Sequence, residues 1–462
     1  MKIDICFVII TYALSIPAFT YLYLKQKNSA DNITVCRLIL VAGIILRILY
    51  ICYTDINTRQ HDVENFFGSS GGHSGYILYL LDNKHLPDFD PRNVWQFYHP
   101  PLHHAICAFF LFLIEKPGVM LSQNSFELLQ ILPMIYSSLF CISAYKTLKL
   151  CGINGRSLCF STAFVTFHPT LIILSGSINN DMLSALFCMC ALHFTVKWCS
   201  YKKWLDIGFI AICIGFGMCT KLTVGLLAPA IGCVFLYVFI RDIKEYRKTI
   251  PQFIVFGLIC VPVGLFFPIR NHLKFGVPLN YVPKLPLDSS QHIDNTIVKR
   301  IFDFMPFQFS SPFVQWHADG APYNEFNPII ALWKTSAFDE NTFFTNCISF
   351  QAVCVILLAT VIILSIYSAV TLIINIRKKG TLKTEFKILI TVLSVTLLAN
   401  YMVFCISYPH VCTQNMRYCV PLIFTQSALI GLYGNNSAVR KVTALFCGCS
   451  IFMFFALQFY AP

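Results

Sequence analysis

Charged side chains make up only 12% of this 462-residue sequence, about half the share of an ordinary soluble domain. That shortage excludes a soluble globular class. Zinc-type pairs of closely spaced cysteines are also lacking. Many of the 21 cysteines, such as Cys188, Cys190, Cys213 and Cys260, lie inside apolar runs. They read as small buried hydrophobes rather than disulfide partners or zinc ligands. The first apolar run, Met1 to Leu24, has no clear small-residue cleavage site, so it is expected to stay as a span. Internal repeats, a soluble domain and a polar tail are likewise not evident. The chain is therefore read as a single integral membrane domain over 1–462.

What is present is apolar. Hydrophobic residues reach 56%, aromatics 15%, and the mean hydropathy is +0.65. Runs such as "FIVFGLICVPVGLFFPI" can cross ~30 Å of hydrocarbon as helices. They do not alternate, which favours helices over a barrel. The reading is an all-α polytopic protein with spans near 4–24, 35–53, 127–147, 157–175, 181–198, 205–219, 222–240, 251–268, 349–375, 387–407, 418–434 and 441–460, about twelve in all.

The net charge is +12. The basic residues cluster in short loops at 25–37, 149–156, 197–203, 241–248, 377–387 and 439–441. Such loops are topology signals and belong on the cytoplasmic side. Nucleic-acid binding is therefore not expected. Two long loops, 54–126 and 270–348, then share the outer face. Alternation makes one demand. The segment "HHAICAFFLFLIEK" must not cross, or every later basic loop would be outside. It has only ~12 strongly apolar residues, too few for a span. A juxtamembrane helix near 100–115 is expected, starting and ending outside.

Chemistry-bearing residues gather at the outer ends of different spans. Asp62 and Glu64 lie in "RQHDVEN", shortly after the second span. An aspartate there could be a base or a metal ligand, or simply a solvated loop residue. In "WQFYHPPLHH", Pro100 and Pro101 suit a first helical turn, with His99 at or beside the N-cap. His99 and His103 are four residues apart, on one helical face, a usable metal spacing. Capping and hydrogen bonding are the plainer roles. Asp181 in "SINNDML" suits a helix start through the dipole alone. Lys221 in "MCTKLTVG" sits in an outer hairpin, against the positive-inside trend, and could meet a phosphate. Arg270 and Arg417 lie on the same side, where snorkelling to headgroups is the alternative.

In this order, Asp62, "HPPL" (99–102), Asn180-Asp181, Thr220-Lys221, Arg270-Asn271 with Gly276 and Pro278, and Arg417-Tyr418 with Pro421 resemble the motifs of the GT-C glycosyltransferases of the family 39 type. That group includes protein O-mannosyltransferases and the lipid A aminoarabinose transferase. The resemblance runs from about residue 50 to 425. "ALWKTSAF" (331–338) is similar to bacterial members in particular. Three features depart from the pattern: Val63 after Asp62 where many relatives have a second acid, an additional first span, and "HH" after "PPL".

The resemblance implies a GT-C-like bundle of about twelve helices. It implies transfer of a hexosyl or pentosyl group from a polyprenyl-phosphate sugar to a hydroxyl of a protein, lipid or glycan acceptor. It also implies a bacterial cell membrane, with the site on the non-cytoplasmic side among membrane lipids. Asp62 would be the general base, and Lys221, Arg270 and Arg417 would bind the donor phosphate. Asp181 would orient the acceptor, or help hold a divalent metal with His99 or His103; Glu64, His99 and His103 are further substrate or metal candidates. Two rivals come from other classes. A secondary transporter would carry ionisable residues near the midplane and internal repeats. A noncatalytic scaffold would tolerate every outer-face substitution that leaves it stable.

Overall fold

The structure is a computed structural model and describes residues 5–27, 31–64, 66, 70–114, 123–343, 347–377, 382–434 and 436–460. Regular structure among these is helical, apart from one isolated antiparallel bridge between His292 and His410. Eight of the described helices are long and apolar enough to cross a membrane: Asn32–Tyr53, Ser125–Leu150, Asp181–Tyr201, Leu222–Arg241, Ile243–Phe275, Ile348–Arg377, Thr384–Ser407 and Ser437–Leu457. The spans expected at 205–219 and 418–434 are the shorter apolar helices Trp204–Met218 and Leu422–Tyr433. The expected surface helix is Leu102–Ile114, 13 residues long. At 1.5 Å per residue it extends about 20 Å, short of the hydrocarbon thickness. Residue 115, the end of that expectation, lies outside the described residues.

One span departs from expectation. The run 157–175 is not a single helix but two, Gly155–Thr166 and Pro169–Ile173. Pro169 lacks an N–H and disfavours helical backbone at the residue before it, so the helix stops and restarts. The carbonyls at the break are met by neighbouring helices, the condition for broken helices in lipid. The buried Arg47 guanidinium donates to the Thr166 carbonyl at 3.0 Å and to Ser137 Oγ at 2.7 Å. Ser450 Oγ donates to the Phe167 carbonyl, and Ser137 Oγ to the Leu171 carbonyl, both at 2.6 Å. Close helix contact makes this possible: a Cβ on Gly43 would overlap Thr166 Cγ2. The break bends the chain so that residues 174–181 reach the end of the bundle that carries the two long loops.

The second long loop packs Ile293, Val314 and Phe326 in a small core with Val411 from the segment before Arg417. Its helix Pro328–Phe338 starts at Asn327, whose side chain accepts from the Ile329 and Ile330 N–H groups. Beneath it lies a fully buried ion pair, Lys334 to Glu325 at 2.7 Å. Gln414 Nε2 donates to the Glu325 carbonyl at 2.6 Å, and Thr335 Oγ1 accepts from the Met416 N–H at 3.0 Å. These contacts lock the loop onto the segment that contains Arg417.

Candidate active site at the loop face

Local backbone chemistry sets Asp62. Its φ is +56°, a left-handed conformation that aspartate tolerates better than most residues. The helix Gly72–Asn83 docks on it. The His73 N–H donates to the Asp62 carbonyl at 2.8 Å, and the Ser74 N–H to the Val63 carbonyl at 3.0 Å. These N–H groups belong to a helix's first turn, which needs partners from outside the helix. Gly72, at φ +70°, permits the approach; a Cβ there would lie 2.7 Å from the Val63 carbonyl.

The next segments are joined to Asp62 by its neighbours. Gln60 Nε2 donates to the Gly176 carbonyl and Gln60 Oε1 accepts from the Ile178 N–H, both at 2.8 Å. That clamp sets the 176–181 turn against the first long loop. Asn180 Nδ2 donates to the Thr220 carbonyl at 3.0 Å. The Leu102 N–H donates to the Cys219 carbonyl at 3.0 Å. The acidic loop, the "NND" turn, the "TK" turn and the "HPPL" helix are thus one hydrogen-bonded unit.

Four of the expected residues meet there. Arg417 Nη1 lies 3.3 Å from Asp62 Oδ2 and 3.7 Å from Asp181 Oδ2. The Lys221 ammonium contacts the Asp181 carboxylate directly. Tyr418 offers its ring to both cations, 4.9 Å from Arg417 and 5.2 Å from Lys221, a cation–π arrangement. Two buried atoms of this cluster, Arg417 Nε and Asp181 Oδ2, have no hydrogen-bond partner among the described residues. Asp181, Lys221 and Arg417 line a small pocket together with Ala185, Val224, Leu227 and Leu397. Charged and apolar side chains therefore meet in one pocket between helices.

The histidines stack rather than share one helical face. His73 lies at ring-centroid distances of 5.5 Å from His99 and 5.1 Å from His104, and its Nδ1 is 2.8 Å from His104 Nε2. Tyr76 stacks on His104 at 4.4 Å. Burial holds His73, His99 and His104 well below the ordinary histidine range, and neighbouring positive or histidine charges push the same way. For half-buried His99 those neighbours include Lys221 and Arg417. His103 faces the Ile178 carbonyl at 3.4 Å, and burial lowers its pKa to about 4. The expectation of His99 at or beside the N-cap, with Pro100 and Pro101 in the first turn, is corrected: the helix begins at Leu102. The first helical bond, from the Ala105 N–H at 2.8 Å, goes to the Pro101 carbonyl, so both prolines precede the helix.

Two expected residues stand apart. The Arg270 guanidinium donates to Asn271 Oδ1 at 2.8 Å and to the Pro87 carbonyl. It braces the first loop, away from Asp62 and Asp181. Glu64 is exposed, with its carboxylate about a Cβ contact from Gly71. Asp181, a candidate metal ligand with His99 or His103, is met by two cations, Lys221 and Arg417.

Sequence reasoning missed a second cluster beside the first. His61 Nε2 lies 2.7 Å from Asp339 Oδ2, and His61 Nδ1 lies 3.6 Å from Glu340 Oε2. Asn415 Nδ2 donates to both carboxylates, at 2.6 and 2.8 Å, while its Oδ1 accepts from the Arg417 N–H at 2.8 Å. Burial is the largest influence and opposes charge on His61, but the Asp339 and Glu340 carboxylates and the Asp339 hydrogen bond together hold His61 above its ordinary value. The sequence did carry a signal: "RQHDVEN" sets His61 beside Asp62, and "SAFDEN" places two acids in the second loop.

Residues 98–266 match the family described as dolichyl-phosphate-mannose-protein mannosyltransferase. The match contains His99, Asp181 and Lys221. It begins after Asp62 and ends before Arg270 and Arg417. Among solved structures, the crystal structure of ArnT from Cupriavidus metallidurans bound to undecaprenyl phosphate is similar with a TM-score of 0.39 and 12% identity, over 86% of this chain and 77% of that one. No curated protein matches the chain.

Proposed function

We propose that this chain is a GT-C glycosyltransferase that moves a sugar from a polyprenyl-phosphate donor to an acceptor hydroxyl at the non-cytoplasmic face. One observation carries the reading: two cations, Lys221 and Arg417, share a pocket with apolar side chains, with a partly exposed carboxylate, Asp62, against one of them. A phosphate on a long apolar tail fits that polarity. The mannosyltransferase match over 98–266 supports a lipid-phosphate sugar donor. The basic short loops on the opposite side support the sidedness. The choice of a bacterial membrane rests on the likeness of 331–338 to bacterial members.

In the proposed reaction the acceptor oxygen attacks the anomeric carbon and forms the new glycosidic bond. The bond from that carbon to the phosphate oxygen breaks, and its electron pair leaves with the phosphate. The acceptor proton passes to Asp62 as general base. The phosphate gains negative charge as it leaves, and the Lys221 ammonium and Arg417 guanidinium stabilise it. Preorganised groups of this kind contribute about 3–4 kcal/mol each in a site shielded from water. Arg417 Nε–H is a free donor for a phosphate oxygen. Asp181 holds both cations in place and orients the acceptor.

The test compares membranes from cells that carry the chain with membranes that lack it. Each is given polyprenyl-phosphate mannose, glucose, galactose or aminoarabinose, and release of polyprenyl phosphate is followed by mass spectrometry. Release from one donor, lost with Asp62→Asn in folded protein, is the expected result. Equal release with and without the chain, for every donor, would overturn the reading.

A further inference from the structure

We propose that His61, Asp339 and Glu340 form a divalent-cation site that ties the first long loop to the second and takes Mn²⁺ or Zn²⁺. The proposal stands on this cluster's own geometry and goes beyond the glycosyltransferase reading. One ligand atom from each residue lies within 4.8 Å of the other two. Asp339 and His61 are buried, and Glu340 nearly so. Asp339 faces Nε2 of His61 and Glu340 faces Nδ1, so an ion with bonds of about 2.0–2.2 Å would take one of these nitrogens and draw one oxygen of each carboxylate toward it. An imidazole nitrogen with two carboxylate oxygens is a borderline donor set, suited to Zn²⁺ and Mn²⁺ more than to an all-oxygen Ca²⁺ cage.

Two features of the chain favour a built site over a chance ion pair. Asp339 has φ +57° and ψ −147°, a conformation that non-glycine residues adopt only where the surroundings hold them there. It turns the chain directly after the helix Pro328–Phe338 so that two adjacent carboxylates converge on one Asn415 amide and one His61 ring. Metal-ligating carboxylates are commonly held by such outer hydrogen bonds. Charge makes the second argument. Asp62, Asp181, Asp339 and Glu340 crowd around two fixed cations, Lys221 and Arg417. Arg59 lies at the edge, over the Phe343 ring. Asp62 and Asp181 pair directly with Lys221 and Arg417, while Asp339 and Glu340 have His61, the Asn415 amide and only the more distant charge of Arg417. Buried carboxylates side by side need a compensating charge, and a divalent cation supplies it without drawing Arg417 away from Asp62 and Asp181.

The site's position gives it consequence. His61 adjoins Asp62, and Asn415 holds the Arg417 backbone. A cation on His61, Asp339 and Glu340 would fix the spacing between Asp62 and Arg417 by joining the loops that carry them. His61, Asp339 and Glu340 are therefore positioning residues for the Asp62–Arg417 pair.

The experiment uses the full chain, purified in detergent, stripped with chelator and titrated with Mn²⁺ under electron paramagnetic resonance. Mn²⁺ is the probe because the many cysteines bind it poorly. The expected result is one saturable Mn²⁺, displaced by Zn²⁺, with spin-echo modulation from an imidazole nitrogen. Binding is expected to vanish in Glu340→Gln and in His61→Gln. The wild-type spectrum alone suffices if the variants do not fold. No saturable Mn²⁺, or bound Mn²⁺ without imidazole modulation, overturns the proposal, as does undiminished binding in folded Glu340→Gln. Polyprenyl phosphate release on the same preparations reports the transfer reading separately.

Discussion

Asp62 and Arg417, 355 residues apart in the chain, meet at 3.3 Å. The Arg417 side chain is buried, while a third of the Asp62 side chain stays exposed. One partner is thus a fixed cation and the other a carboxylate open to an incoming group. Because Asn also tolerates left-handed backbone, Asp62→Asn should fold as the wild type does. It should lower transfer by about 10²–10⁴-fold, the usual contribution of a general base. Turnover measured beside retention of polyprenyl phosphate checks this: turnover falls and retention stays. A wild-type rate in Asp62→Asn would remove Asp62 from its role.

Lys221 and Asp181 should separate stability from activity. Lys221→Met leaves the buried Asp181 carboxylate with only Arg417, at 3.7 Å. An uncompensated buried charge costs about 3–5 kcal/mol, so the thermal unfolding midpoint should drop. The double variant Lys221→Met/Asp181→Asn removes that charge and should recover much of the midpoint. Transfer should stay about 10²–10³-fold down in both, since the cation proposed to stabilise the leaving phosphate is gone. If turnover returns with the midpoint, Lys221 acts through the fold alone.

The transmembrane framework was legible because burial in lipid leaves a simple mark, a long unbroken apolar run. Asp62, Asp181, Lys221 and Arg417 were legible because each is a charged or acidic residue beside the end of such a run, on one predicted side. The break before Pro169 was not, since "STAFVTFHPTLIIL" stays apolar through it and the rescue comes from Arg47, Ser137 and Ser450 on other helices. The second loop was legible only as a length of chain. Its organisation rests on long-range contacts such as Gln414 to Glu325 and Asn415 to Asp339, which no local pattern announces. His61 was overlooked for a related reason: its partners lie some 278 residues away.

The histidine stack predicts acid sensitivity. Burial keeps His73, His99 and His104 well below the ordinary histidine pKa, and His103 at about 4. In the unfolded chain these groups take up protons below about 6.5, while the folded chain resists. For these four rings the unfolded state then binds more protons, so their contribution to stability falls as pH drops from about 6.5 toward 4 and is fully kept above that window. His61, whose pKa is raised, contributes the opposite slope. Thermal unfolding in detergent, followed from pH 7.5 to 5, should show a declining midpoint. His103→Gln should flatten that decline, because it deletes one of the groups that titrate only on unfolding. A flat profile in the wild type would mean that these rings are charged in the fold.

The Glu325–Lys334 pair, 2.7 Å apart and wholly buried, tests whether the second long loop folds onto the bundle as a unit. Burial raises the Glu325 pKa and lowers that of Lys334, each opposed by the partner's charge. Lys334→Met leaves Glu325 without its cation, and Glu325→Gln leaves Lys334 without its anion. Each should cost about 3–5 kcal/mol. Replacing both, as Glu325→Gln with Lys334→Met, should cost much less, because no charge is then stranded. Glu325 also holds its loop through the Gln315 N–H at 3.3 Å and, by its carbonyl, Gln414. The amide introduced by Glu325→Gln keeps an acceptor oxygen for the first contact, and the backbone carbonyl of the second is unchanged. Limited proteolysis within 276–326 should therefore rise sharply in the single variants and stay near wild type in the double. If the singles resist proteolysis as the wild type does, the loop is held by its aromatic core around Phe326 and the ion pair is dispensable.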